Sequence, residues 1–142
     1  MTLVVCIDND RGMTFFGRRQ STDRAVCERI AAEAADARLL MNVYSASRFR
    51  DVGKEITVCA DPASEAKDDD VCFIEDADPS VLYGKIDKLI IYRWNKKYPR
   101  DRRLTVVPYD EGMRLESIAD FRGSSHDRIT EEIWVRRERA EE

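Results

Sequence analysis

An α/β fold with a mostly parallel sheet, finished by a C-terminal antiparallel pair of strands, is the fold class this sequence predicts. Three observations predict it. Strand and helix signals alternate from Leu3 to Ala60, an order that implies parallel strands with helices laid over the sheet faces. The first of those strands is apolar without a break, as a strand buried on both faces must be. The last two strand candidates, "MRLESIADF" and "ITEEIWVRR", follow Gly112 and Gly123 and alternate only loosely, which suits an antiparallel pair at a sheet edge.

The elements follow in order. Leu3 to Ile7 is the first strand, and Asp8 to Ser21 reads as a loop. Thr22 or Asp23 can cap a helix whose Val26, Ile30 and Ala34 recur every fourth residue on one face. Leu39 to Val43 is a second strand, a short helix covers Ser45 to Arg50, and Glu55 to Ala60 is a third strand. "DPASEAKDDD", residues 61–70, carries the proline and aspartate signals of a polar loop. "VCFI" resumes the sheet, "DPSVLYGKI" reads as a capped short helix, and "KLIIYRWNK" is a strand that becomes exposed after Trp94. The charged tail from Arg136 to Glu142 is expected to fray.

Composition narrows the function classes. The chain has 142 residues, the length of one domain spanning 1–142. A net charge of -4 disfavours binding to nucleic acid by charge alone. No stretch approaches the length of a membrane span, so a cytoplasmic protein with no membrane partner is expected. Cys6, Cys27, Cys59 and Cys72 form no C-x-x-C pair and fall in apolar segments, which fits buried thiols. The single histidine, His126, cannot supply a multi-imidazole metal cluster, and no metal is expected.

Separated segments along almost the whole chain resemble, in order, those of dihydrofolate reductases. They are "VVCIDNDRGM", the acid-headed helix from Asp23, "LLMNVYS", "LYGKIDKLIIYRW", "YPRD" and "RLESIADF...SSHDRITEEIWVRR". The resemblance implies a three-layer sandwich with a mostly parallel central sheet and a C-terminal antiparallel β-hairpin. It also implies a cleft that binds a reduced nicotinamide dinucleotide and a pteridine. Asp23 matches the acid that holds and helps protonate the pteridine. Cys6, Phe15, Phe16, Cys27 and Tyr92 match the substrate pocket, and Ser45, Glu75 and Asp76 match the cofactor site.

The residues themselves leave two readings of Asp23 open. It shares the inward face of its helix with Val26, Cys27 and Ile30, where a carboxylate could meet a ligand. An aspartate at a helix start is equally a cap. In the loop, Arg18 and Arg19 suggest an anionic partner or a solvated surface, and the family's P-W dipeptide is replaced by Phe15 and Phe16. Tyr92 stands near a family threonine and either fills the pocket or offers its hydroxyl to another ligand. Asn42 and Val43 stand where the family has a glycine and a phosphate-binding arginine.

Glu75 and Asp76 replace two adjacent glycines that let the family's backbone approach a pyrophosphate. With no compensating charge beside them in the sequence, each carboxylate would repel a phosphate by ~3 kcal/mol at intermediate dielectric. These departures predict that no cofactor is bound in the family manner, and that the chain holds an unknown small molecule or protein partner instead of working as a reductase. The alternative is an active pteridine reductase using NADPH, with Asp23 handling the proton. A third reading starts from "KIDKLIIYRWNKKYPRDRR", which sets eight basic residues against Asp87 and Asp101 around Tyr92, Trp94 and Tyr98. Basic residues interleaved with aromatics suit single-stranded RNA, but half of this segment is a predicted strand whose rings should face inward, so nucleic acid is not the expected partner.

Overall fold

The apolar runs become a seven-stranded sheet because most of its central strands have two faces to bury. The computed structural model describes residues 1–105 and 107–137, with backbone only at 80 and 81. In chain order the elements begin with β1 (Thr2–Ile7), β2 (Gly12–Phe15), β3 (Arg18–Arg19), α1 (Arg24–Glu33), β4 (Leu39–Met41) and α2 (Val43–Ala46). A 3-10 turn (Ser47–Phe49) leads to β5 (Ile56–Val58), α3 (Pro62–Glu65) and β6 (Val71–Phe73). A second 3-10 segment (Pro79–Lys85) precedes β7 (Lys88–Arg93) and β8 (Arg102–Arg103), and a third (Pro108–Glu111) precedes β9 (Met113–Phe121) and β10 (Ile129–Arg136).

The large sheet runs β5-β4-β6-β1-β7-β10-β9. β1 pairs in parallel with β6 and β7, and β4 with β5 and β6, while β10 is antiparallel to both β7 and β9. This is the predicted α/β class with its parallel centre and antiparallel C-terminal hairpin. Period-two alternation sends Val4 and Cys6 of β1, with Ile90 and Tyr92 of β7, into the core under α1. Leu3, Val5 and Ile7, with Leu89 and Ile91, enter a second core that includes Tyr83 and Ile86. Two buried faces explain why neither strand alternates in sequence.

Several boundaries move for local reasons. β4 ends at Met41 because the Asn42 side chain accepts from the Ser45 backbone N–H at 2.9 Å and starts α2. The region expected to be a plain loop from Asp8 to Ser21 holds the β2–β3 hairpin instead. Its turn is Phe16–Gly17, with φ of 49° and 71°, the left-handed pair a two-residue hairpin turn requires. The 61–70 segment contains the one-turn helix α3 after Pro62.

β10 lies inside the sheet, so of the C-terminal pair it is β9 that forms an edge, with β5 at the opposite one. Between Ile133 and Trp134 the register steps from Ser117 to Leu115, leaving Glu116 as a bulged residue. Arg136, placed in sequence at the start of a frayed tail, is the last residue of β10, and its guanidinium donates to the carbonyls of Tyr83, Ile86 and Glu111. The rest of that predicted tail, 138–142, lies outside the described residues. Among the described residues no helix is long and apolar enough to cross a membrane.

Candidate functional site

Two clefts open near the C-terminal ends of the parallel strands, the end where open α/β sheets bind ligands. One, of about 390 Å³, is lined by Asp23, Arg24, Cys27, Arg48, Val52 and Ser125 among others. The other, of about 410 Å³, lies past β4, β5 and β6 and includes Asn42, Asp61, Phe73, Ile74, Asp76 and Lys85. Asp61, Asp76 and Asp78 make that second cleft acidic, with Lys85 its one basic residue.

Asp23 is the N-cap of α1 and is 2% exposed. Its carboxylate accepts from the N–H groups of Ala25 at 2.9 Å and Val26 at 3.3 Å. It also accepts from Ser124 N–H at 3.1 Å, Ser125 N–H at 2.8 Å and the Ser125 hydroxyl at 2.9 Å. Burial pushes this carboxyl up, but the bonds from Ser125, Ser124 and Val26 overcome it and hold the group at about 2. An acid so placed stays ionised at neutral pH, and its lone pairs are spent on the protein. Gly123, just before these serines, has no room for a side chain, because a Cβ there would meet Asp23 Oδ2 at 2.3 Å and Ile129 Cδ1 at 2.6 Å. Gly123→Ala is therefore expected to displace the β9–β10 loop from the cap and lower stability by ~2 kcal/mol, read as a drop in the urea midpoint.

Behind the same loop, His126 is buried and stacks on Trp94, with ring centroids 4.9 Å apart. Its Nε2 lies 2.8 Å from the Tyr98 hydroxyl and its Nδ1 lies 2.8 Å from the Ser125 hydroxyl. The basic segment is thus drawn inward at its aromatics: Tyr92 and Trp94 are buried, and Tyr98 is engaged by His126. The ring faces of Tyr92 and Trp94 are not free to stack on bases.

Glu75 corrects an expectation. The sequence offered no compensating charge beside it, yet its carboxylate is clamped by two arginines. Arg19 donates through Nε at 2.9 Å and Nη2 at 3.1 Å, and Arg48 through Nη1 at 2.5 Å. The side chains of Glu75 and Arg48 are each 4% exposed. Arg19, expected to face solvent or an anionic partner, spends its guanidinium here and over the Tyr44 ring. Asp76 is exposed and accepts from the Asn42 amide at 3.1 and 3.2 Å. Ser45 is buried with no hydrogen-bond partner for its hydroxyl oxygen.

The structure brings together only some of the predicted positions. Asp23 and Cys27 line the first cleft. Cys6 lies beneath, beside Glu75 and Arg19 at a void of about 10 Å³, and burial pushes its thiol up to about 12 despite the neighbouring Arg48. All four thiols are free. Tyr92 is in the core, donating to Glu131 at 2.8 Å and edge-on to Phe121. Burial pushes its hydroxyl well above the ordinary tyrosine range. Phe15 and Phe16 stand at the hairpin tip with centroids 4.2 Å apart, Phe16 78% exposed, and neither lines the cleft. Arg48, Ser124 and Ser125 are site residues that sequence reasoning missed. Arg48 carries no local signal, because its partner Glu75 is 27 residues away.

The fold is that of dihydrofolate reductases. A dihydrofolate reductase from Enterococcus faecalis, solved in complex with NADP(H) and RAB-propyl, superposes with a TM-score of 0.66 at 9% sequence identity, over 96% of each chain. No family model matches the sequence, and no curated protein matches it.

Proposed function

We propose that this chain is a small-molecule-binding protein on a dihydrofolate reductase-like fold, and that it does not carry out NADPH-dependent reduction. The observation that carries this reading is the Arg48–Glu75 ion pair. Arg48 lines the cleft beside Asp23, while the residues flanking Glu75, Ile74 and Asp76, line the cleft past β6. The pair thus stands between the two clefts at 2.5 Å. Hydride transfer needs donor and acceptor carbons within about 3–3.5 Å of one another, and a buried ion pair between the two spaces keeps their occupants apart. The acidic lining of the cleft past β6 adds repulsion toward a diphosphate.

A titration with NADPH, following emission of the buried Trp94, is expected to give no saturable change at micromolar concentration. Saturable quenching that adenosine 2′,5′-bisphosphate reverses would sink this reading. The reductase alternative draws on one observation, the open cleft beside Asp23. It requires NADPH oxidation that depends on dihydrofolate and disappears in Asp23→Asn. The binding reading requires melting-temperature shifts from small molecules without that turnover.

A further inference from the structure

We infer that the cleft beside Asp23 receives a small carboxylic acid, an apolar body carrying one carboxylate, with Arg48 at its floor as the cation that meets the acid group. The inference rests on the small-molecule reading above and names the chemistry of its ligand. Arg48 lines the cleft, yet its Nε and Nη2 are buried and donate to no hydrogen-bond partner. Unmet donors on a buried cation are unfavourable, and the group that satisfies two guanidinium N–H bonds with the best geometry is a carboxylate.

One carboxylate serves both arginines. Arg19 and Arg48 share the single carboxylate of Glu75, so the buried cluster carries one excess positive charge. Asp23 lines the same cleft and is ionised, so its charge does offset the cluster, but its oxygens are taken by five neutral donors and do not reach the free Arg48 donors. Asp51, the other acid of the lining, is exposed at the rim. The Cys6 and Cys27 thiols also neighbour the guanidinium, and both are weak acceptors that burial keeps protonated. Cys27 and Val52 supply apolar wall, and Ser124, Ser125 and Arg24 an exposed polar rim. A floor cation, apolar walls and a hydroxyl rim suit a compact acid of one ring.

The probes are benzoate and benzamide, equal in shape and different in charge, added to the full chain while Arg Nε–H and cleft backbone signals are followed by NMR. Benzoate is expected to bind at least roughly 10-fold more tightly than benzamide, as a charge-assisted pair replaces a neutral one, and to move the Arg48 Nε–H signal. Arg48→Lys, checked for folding by its urea midpoint, is expected to remove most of that preference. Since the substitution also touches Glu75, the benzoate-to-benzamide ratio in the unaltered protein stands as an independent arm. Equal binding of the two probes in the cleft overturns the inference while leaving small-molecule binding intact. Failure of both probes, and of pterins and folates, to move any cleft signal overturns both.

Discussion

Glu75→Ala is expected to be among the most destabilising single changes in this protein, lowering stability by about 3–5 kcal/mol. The substitution removes the one carboxylate shared by Arg19 and Arg48 and strands a guanidinium that is 4% exposed. At this chain length the loss corresponds to a melting temperature lower by roughly 10–20 °C. Removing charge from both sides tests the cause. Glu75→Leu combined with Arg48→Met should recover much of the loss, because well-packed apolar residues replace a buried pair with little net penalty. If Glu75→Ala unfolds at the same denaturant concentration as the parent, the clamp is not what holds α2 and the 3-10 turn to the end of β6.

The second large effect is at the helix cap. Asp23→Ala leaves five donors without their acceptor, two from the first turn of α1 and three from Ser124 and Ser125. A loss of about 3 kcal/mol is expected, with Asp23→Asn intermediate because one carbonyl oxygen remains. The pH dependence separates charge from shape. A carboxyl held at about 2 when folded and near 3.8 when unfolded contributes stability that is fully present above the unfolded value. That stability is lost as pH falls from about 4 toward 2. The parent should therefore show a steeper fall in urea midpoint across that range than Asp23→Asn. Parallel slopes in the two proteins would show that the charge of Asp23 contributes nothing to the cap.

How much of this was legible depended on the distance over which each feature is encoded. The central strands were readable because each carries its reason locally: Leu3 to Ile7 and Leu89 to Tyr92 are apolar at successive positions since both sheet faces are covered. The β2–β3 hairpin was not, because its turn places Phe16 at a positive φ and offers no Asn-Gly or Asp-Gly signal. Asp23 was found as a position but not as a state. Its first-turn bonds are local, while three further bonds that hold its charge come from a loop about a hundred residues on. Glu75 illustrates the harder case. Its acidic character was plain, but its partners lie 56 and 27 residues earlier, and no local pattern distinguishes a clamped acid from a repelling one.

The bulge at Glu116 bears on how copies of this chain behave in a crowded solution. β9 offers nine residues of backbone with one side unpaired, and Leu115 and Ile118 stand exposed along it. Such an edge invites a neighbouring molecule to add its own strand and start a polymer. At Glu116 the pleat is interrupted, so side chains on either side of it are out of phase. A straight incoming strand could match Met113 to Leu115 or Ser117 to Phe121, but not both. Arg114, Glu116 and Asp120 add charge along the same border. The irregularity that interrupts the ladder with β10 thereby works as a stop against fibre growth, built into the longer of the two edge strands of the large sheet.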